Sequence, residues 1–272
     1  MFHGSRDPRS QQAAAALTQQ VQQHIQHTPA LPAVLGQDLG WCSTPPAETV
    51  TTNLTTTEPP LAIADAYLEC HPLPLDQQLV QLVHQVTATQ PASDVSLRVQ
   101  VIPVLLLAGV HVREDIPAAV AIAQTQLPPT IQWEITTHFG SCPGLHRIVM
   151  ERLSGTPMEA WILLAHGSQR PGANQAIETL AERVGAIAAY WATAPNLETQ
   201  LQALQTAGLR RIGILPYFLF SGGITDAIAQ TVATLTQHHS NLSLSLAETL
   251  DHNAGIADVL VELIQRASDR TP

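Results

Sequence analysis

Trp161-Ile162-Leu163-Leu164-Ala165-His166-Gly167-Ser168 is an apolar run of strand length that stops at a histidine and turns on a glycine, and a helical pattern follows it. The same phrase opens the chain as Met1-Phe2-His3-Gly4-Ser5-Arg6-Asp7-Pro8-Arg9, 163 positions earlier. Only Met1 and Phe2 stand before His3, where a full apolar strand is expected. A phrase repeated at that separation predicts two copies of one unit.

The copies can be aligned. Pro103 matches Pro216 and Gly144 matches Gly255, at separations of 113 and 111. Fifty additional residues therefore lie in the first copy, between His3 and Pro103. Matching Ala66-Tyr67-Leu68-Glu69 to Ala189-Tyr190-Trp191-Ala192 places forty of them ahead of Glu69. There, residues 29–60 carry six prolines and a threonine-rich run, which predicts an irregular insertion. The expected boundaries are 1–153 for the first half and 161–272 for the second.

Outside the insertion, short apolar runs alternate with helical patterns. Strands are expected at 62–68, 101–110, 131–137, 161–165, 212–220 and 242–247, with a weaker one around Tyr190-Trp191. Asp7-Pro8 reads as a helix start, and Ala14, Leu17 and Val21 fall on one face behind it. Strand–helix alternation argues for right-handed crossovers, and so for an α/β fold of parallel sheets flanked by helices.

In such sheets ligands bind beyond the carboxyl ends of the strands. The first copy places His3, Glu69 and His111 there, and the second His166, Ala192 and Ile224. Two imidazoles and a carboxylate suit a borderline divalent ion such as Fe²⁺ or Co²⁺. Imidazoles also exchange protons near neutral pH. A histidine at a strand end is equally at home as a turn residue capping a helix. The loss of both His111 and Glu69 from the second copy favours chemistry and marks the first half as the active one.

Composition narrows the partners. The 272 residues carry a net charge of −10, which argues against nucleic acid. No residue is lysine, which excludes a Schiff-base lysine and a Walker-type phosphate loop. No run reaches the ~18 apolar residues of a membrane span, and no basic-then-apolar leader is visible, so a soluble cytoplasmic protein is expected. Cys42, Cys70 and Cys142 are too scattered for a disulfide framework and read as buried free thiols.

His3-Gly-Ser-Arg-Asp-Pro-Arg9, Tyr67-Leu-Glu-Cys-His-Pro72 and His111-Val-Arg-Glu-Asp-Ile-Pro117 resemble the sirohydrochlorin chelatases, the CbiX/SirB branch of the class II tetrapyrrole chelatases. His166-Gly-Ser168 with Pro216-Tyr-Phe-Leu-Phe220 resembles their second half. The resemblance implies two flavodoxin-like halves related by a pseudo-twofold axis, with the tetrapyrrole in the cleft between them. It implies a lyase that inserts Fe²⁺ or Co²⁺ as a substrate, without ATP or a resident cofactor. Carried over by position, His3 and His111 deliver the metal and accept protons, and Glu69 assists.

Sirohydrochlorin carries many carboxylates, and Arg6, Arg9 and Arg113 flank the two histidines, so these guanidinium groups are expected to hold it. Ser5 is expected among the substrate contacts, and as a turn hydroxyl rather than a nucleophile. A monomer is expected. The alternative is a non-catalytic carrier of metal or tetrapyrrole.

Overall fold

A computed structural model of the chain describes residues 1–27, 61–89, 97–239 and 241–268. The expected insertion at 29–60 and Cys42 lie outside the described residues.

The second half is the more regular. β3 (Ala160–Ala165), α5 (Gln175–Arg183), β4 (Ile187–Tyr190), α6 (Leu197–Thr206), β5 (Arg211–Pro216), α7 (Gly223–His238) and β6 (Ser243–Leu246) precede the closing helix α8 (Gly255–Ser268). The strands form one parallel sheet in the order β4-β3-β5-β6. In β3 every second side chain faces the same way. Trp161, Leu163 and Ala165 enter a core shared with α8 and with the helices at Pro8–His27 and Pro143–Ser154, while Ile162 and Leu164 enter a core against α6 and α7. Burial on both faces explains why this strand is a continuous apolar run, as parallel sheets require.

The first half holds α1 (Pro8–His27), α2 (Leu75–Thr89), β1 (Arg98–Val101), α3 (Ile116–Thr125), β2 (Gln132–Ile135) and α4 (Pro143–Ser154). β1 and β2 pair in parallel. The Asp7 carboxylate accepts the Arg9 backbone N–H at 3.0 Å, capping α1 as its sequence predicts.

Met1–His3 lies between residues 66–69 and 102–104. The backbone N–H of Val104 donates to Met1 O, and those of Leu68 and Glu69 donate to Phe2 O and His3 O. The same bonds recur in the second half, from Tyr217 to Leu164, Trp191 to Ala165 and Ala192 to His166. In both halves the chain turns back across its first strand to start the third. The carboxyl ends on either side of that reversal form a crevice.

Several expected strands are shorter. Residues 62–68 make only a single bridge, Phe2 to Tyr67, because the segment beside them contributes just three residues. The run at 101–110 yields β1 at Arg98–Val101, and the run at 212–220 stops at Pro216. Pro103 and Pro216 have no N–H and so each remove one ladder bond, and beyond them single backbone bonds such as Val104 to Met1 and Leu250 to Phe218 replace the regular ladder. Cys142 is buried as expected, but Cys70 is exposed. Among the described residues no helix is long and apolar enough to cross a membrane.

Candidate metal centre

His3 ends the Met1–His3 segment and is fixed by the turn behind it. Gly4 has φ +96°, and a Cβ there would lie 1.9 Å from the carbonyl oxygen of Glu69. Only glycine lets the two backbones approach this closely. The contact, with the Glu69 N–H donating to His3 O at 2.9 Å, sets Glu69 beside His3.

His111 arrives differently. Instead of ending a strand it opens a π-helical turn, His111–Asp115, that runs into α3. Such turns are rare and recur at functional sites. This one brings the Asp115 carboxylate to 2.7 Å from His111 Nδ1.

The two imidazoles meet edge to face, with ring centroids 4.7 Å apart and Nε2 to Nε2 at 3.1 Å. Their tautomers follow from their other partners. Nδ1 of His111 faces a carboxylate, and Nδ1 of His3 lies 3.2 Å from the Gly4 carbonyl oxygen. Both partners only accept, so both Nδ1 atoms donate and both Nε2 atoms present lone pairs to each other. Two lone pairs at this separation repel unless a cation lies between them. A proton shared by the rings satisfies the pair, and so does a divalent metal ion.

One ligand atom each from His3, Glu69 and His111 lie within 4.8 Å of one another. Among the described residues this is the one group of three or more such side chains that could hold an ion. His3 and Glu69 are exposed and His111 half-buried, so the group opens to solvent. The second half keeps the scaffold without the donors. Gly167 has φ +81° and His166 Nδ1 donates to Gly167 O at 3.0 Å, but Ala192 and Ile224 offer no ligand atom.

The other expected residues separate. Arg6 and Arg113 are exposed. Burial, and after it the charge of Arg113, lowers the pKa of the His138 imidazole. The Ser5 hydroxyl accepts the Asp7 N–H at 3.0 Å, and Ser168 likewise accepts the Arg170 N–H at 3.2 Å, so both close turns. Arg9, expected to face substrate, is engaged by two carboxylates instead. It reaches Asp7 at 2.7 and 3.1 Å, and Asp226 on the first turn of α7 at 2.6 and 3.1 Å. These bonds raise its pKa and depress those of both carboxyl groups.

Sequence reasoning missed Asp115. Its signal was the His-x-x-x-Asp spacing of residues 111–115, which puts the two side chains on one helical face.

Fold and site together define an α/β protein of parallel sheets with an open two-imidazole, one-carboxylate centre suited to a divalent cation. The CbiX family model matches residues 1–156 and 160–267, and the chain belongs to that family. A sirohydrochlorin cobaltochelatase of Priestia megaterium is 27% identical over 184 residues, covering 60% of this chain and 58% of the relative. A sirohydrochlorin ferrochelatase of the same organism is 23% identical over 176 residues, covering 60% and 65%. The chain thus matches less than two thirds of the length of either relative.

Among solved structures, SirB from Bacillus subtilis with Fe³⁺ aligns with a TM-score of 0.68 at 19% identity, covering 99% of this chain and 95% of that one. SirB from Bacillus subtilis subspecies spizizenii in complex with cobalt aligns at 0.64 and 20% identity, covering 98% and 93%. CbiX, the terminal enzyme for biosynthesis of siroheme in denitrifying bacteria, aligns at 0.59 and 19% identity, covering 98% and 96%. At these identities the structures establish the fold.

Proposed function

We propose that the chain is a sirohydrochlorin chelatase, a lyase that inserts Fe²⁺ or Co²⁺ into the ring. Family membership and the two sirohydrochlorin chelatases among its relatives support the substrate class. The observation that carries the chemistry is the opposed pair of Nε2 atoms, 3.1 Å apart, with Glu69 beside them. Insertion exchanges two pyrrole N–H protons for one divalent ion, so the site must handle both a metal and protons. His3 and His111 do both, because the lone pair that ligates the ion is the one that takes a proton once the ion has left. Glu69 supplies a negative charge that favours the cation and a second acceptor for the released protons. Asp115 keeps the Nδ1 proton of His111 in place, so that Nε2 is always the free nitrogen.

In the same proposal the chain is two flavodoxin-like halves, 1–153 and 161–272, related by a pseudo-twofold axis, and the macrocycle lies in the cleft they share. The matching backbone hydrogen bonds around His3 and His166 support this. So does a reciprocal contact between α4 and α8: Gly144 packs on Val259 and Gly255 on Ile148, each pair related by a shift of 111 residues. Exposed Arg6 and Arg113 pair with substrate carboxylates, while Arg9 ties the two halves together. A single chain holds both halves, so a monomer is sufficient.

The test is turnover. Purified protein with sirohydrochlorin and Fe²⁺ or Co²⁺ is expected to produce more metallated ring than there is protein, at a rate above the spontaneous one, followed by absorption. A rise that stops at one equivalent identifies a carrier and contradicts the proposal.

A further inference from the structure

A cavity of about 310 Å³ lies between the end of β2 and the helices α4 and α8, with none of His3, Glu69 or His111 in its walls. Those walls include Glu134, Thr137, Cys142, Glu262, Leu263 and Arg266. Its size is at the lower end of the range that small-molecule sites occupy.

The second half shows what occupies the matching space. A shift of 111 residues carries β2 onto β6 and the turn Phe139–Ser141 onto Leu250–His252. It also exchanges the contact of Gly144 with Val259 for that of Gly255 with Ile148. Under the same shift Thr137 corresponds to Glu248, and Arg152 on α4 corresponds to Leu263 on α8. Arg152 is half-buried and donates from its guanidinium to Glu248 O. That group therefore crosses the counterpart of the space between Leu263 and Thr137. In the cavity itself the arginine is replaced by Leu263, which is buried and has nothing to donate.

We propose that this cavity binds an alkylguanidinium cation, whose planar head donates to Thr137 O as Arg152 does to Glu248 O. Thr137 O accepts the Thr136 hydroxyl at 3.0 Å, and a carbonyl oxygen has a second lone pair to offer. Glu262 supplies the charge. Its pairing with Arg266 is long, at 3.7 Å, and that guanidinium is 62% exposed. A ligand guanidinium can instead meet the Glu262 carboxylate in the forked geometry that such pairs favour. Glu134 is already held by Arg98 at 2.6 Å and stays out of the exchange. Buried Leu263 and Cys142 give the alkyl stem an apolar surface to lie on. With Glu134 neutralised and Glu262 loosely paired, the walls disfavour an anionic ligand. The inference rests on the correspondence of the two halves and not on chelation.

Titration of the full chain with agmatine, followed by amide chemical shifts, tests this. Agmatine is expected to move the amides of residues 134–142 and 262–266 and to saturate at one equivalent. Putrescine, which has an ammonium in place of the guanidinium, is expected to bind at least about tenfold more weakly. Arg152→Ala clears the matching space in the second half and is expected to admit a second equivalent, with new shifts at residues 246–248. Leu263→Arg supplies the guanidinium from the chain itself, and the folded variant is expected to take no agmatine at residues 134–142. Equal binding of putrescine, phosphate bound in place of agmatine, or no shifts at residues 134–142 overturns the proposal. So does an Arg152→Ala variant that takes only one equivalent, or a folded Leu263→Arg variant that binds like the parent. None of these readouts involves metal or tetrapyrrole, so failure here and failure to insert metal are separate results.

Discussion

At the scale of single residues, the site is a problem in where protons sit. His3 and His111 each have Nδ1 held by a group that only accepts, and this leaves two basic nitrogens facing one another. Removing either ring removes both a ligand and a proton acceptor. His3→Ala and His111→Ala are each expected to lower the insertion rate by about 10² or more, the range general acid–base groups contribute. Asp115→Asn leaves both rings present but loosens the tautomer of His111, and a drop of about 10–100-fold in Co²⁺ affinity is expected by titration. Gly4→Ala acts through the backbone. With φ at +96° and a Cβ 1.9 Å from Glu69 O, the turn must move, and a loss of about 2–4 kcal/mol in denaturant unfolding is expected. An alanine variant that melts like the parent contradicts that reading of the turn.

His3, Glu69 and His111 were legible because the repeated His-Gly-Ser phrase gave an internal comparison: aligned on it, the later stretch keeps His166 but has Ala192 and Ile224 in place of Glu69 and His111. Asp115 was harder to see because the i,i+4 spacing that signals it counts only if a helix starts at His111, and the apolar run before it reads as a strand.

At the scale of elements, the turn that carries His3 is joined to α7 of the other half. Arg9 binds Asp226 through two hydrogen bonds, Ser10 Oγ donates to Ser221 O at 2.7 Å, and Phe2 packs on Phe220 with ring centroids 5.7 Å apart. The Arg9 pair is exposed, so its contribution is screened by salt. In a double-mutant cycle, Arg9→Gln and Asp226→Asn together are expected to slow insertion no more than the stronger single change does. That non-additivity should fade at high salt. Additive effects would mean that the two residues act separately, with Arg9 on the substrate.

The sequence could not supply this partnership, since it spans 217 residues. Helix positions were legible from their apolar faces, as in α1, where Ala14, Leu17 and Val21 are buried. Strand ends were less so, because the apolar runs carry on past Val101 and Pro216 while the regular ladder gives way to single backbone bonds.

At the scale of the whole molecule, one buried and two half-buried basic groups bear on how stability depends on pH. Burial pushes the Met1 amine down to about 5 from an ordinary 8.0. Burial also lowers the imidazoles of His138 and His146. In each case the unfolded chain takes up a proton at a pH where the fold does not. Stability therefore rises with pH across the interval between the folded and unfolded values. The melting temperature is expected to climb from pH 5 to pH 8 in calorimetry, and a flat or falling profile contradicts these assignments.

The α/β architecture was readable at this scale because strand and helix patterns alternate throughout. The lengths of the first-half strands were not, since they depend on which segments lie side by side.

Diffraction from crystals soaked in Co²⁺, recorded at the cobalt edge, tests the central claim most directly. One strong anomalous peak is expected between His3 and His111, at about 2.1 Å from each Nε2 and with Glu69 beside it. A peak at His166 or elsewhere, with none between residues 3 and 111, would contradict the account.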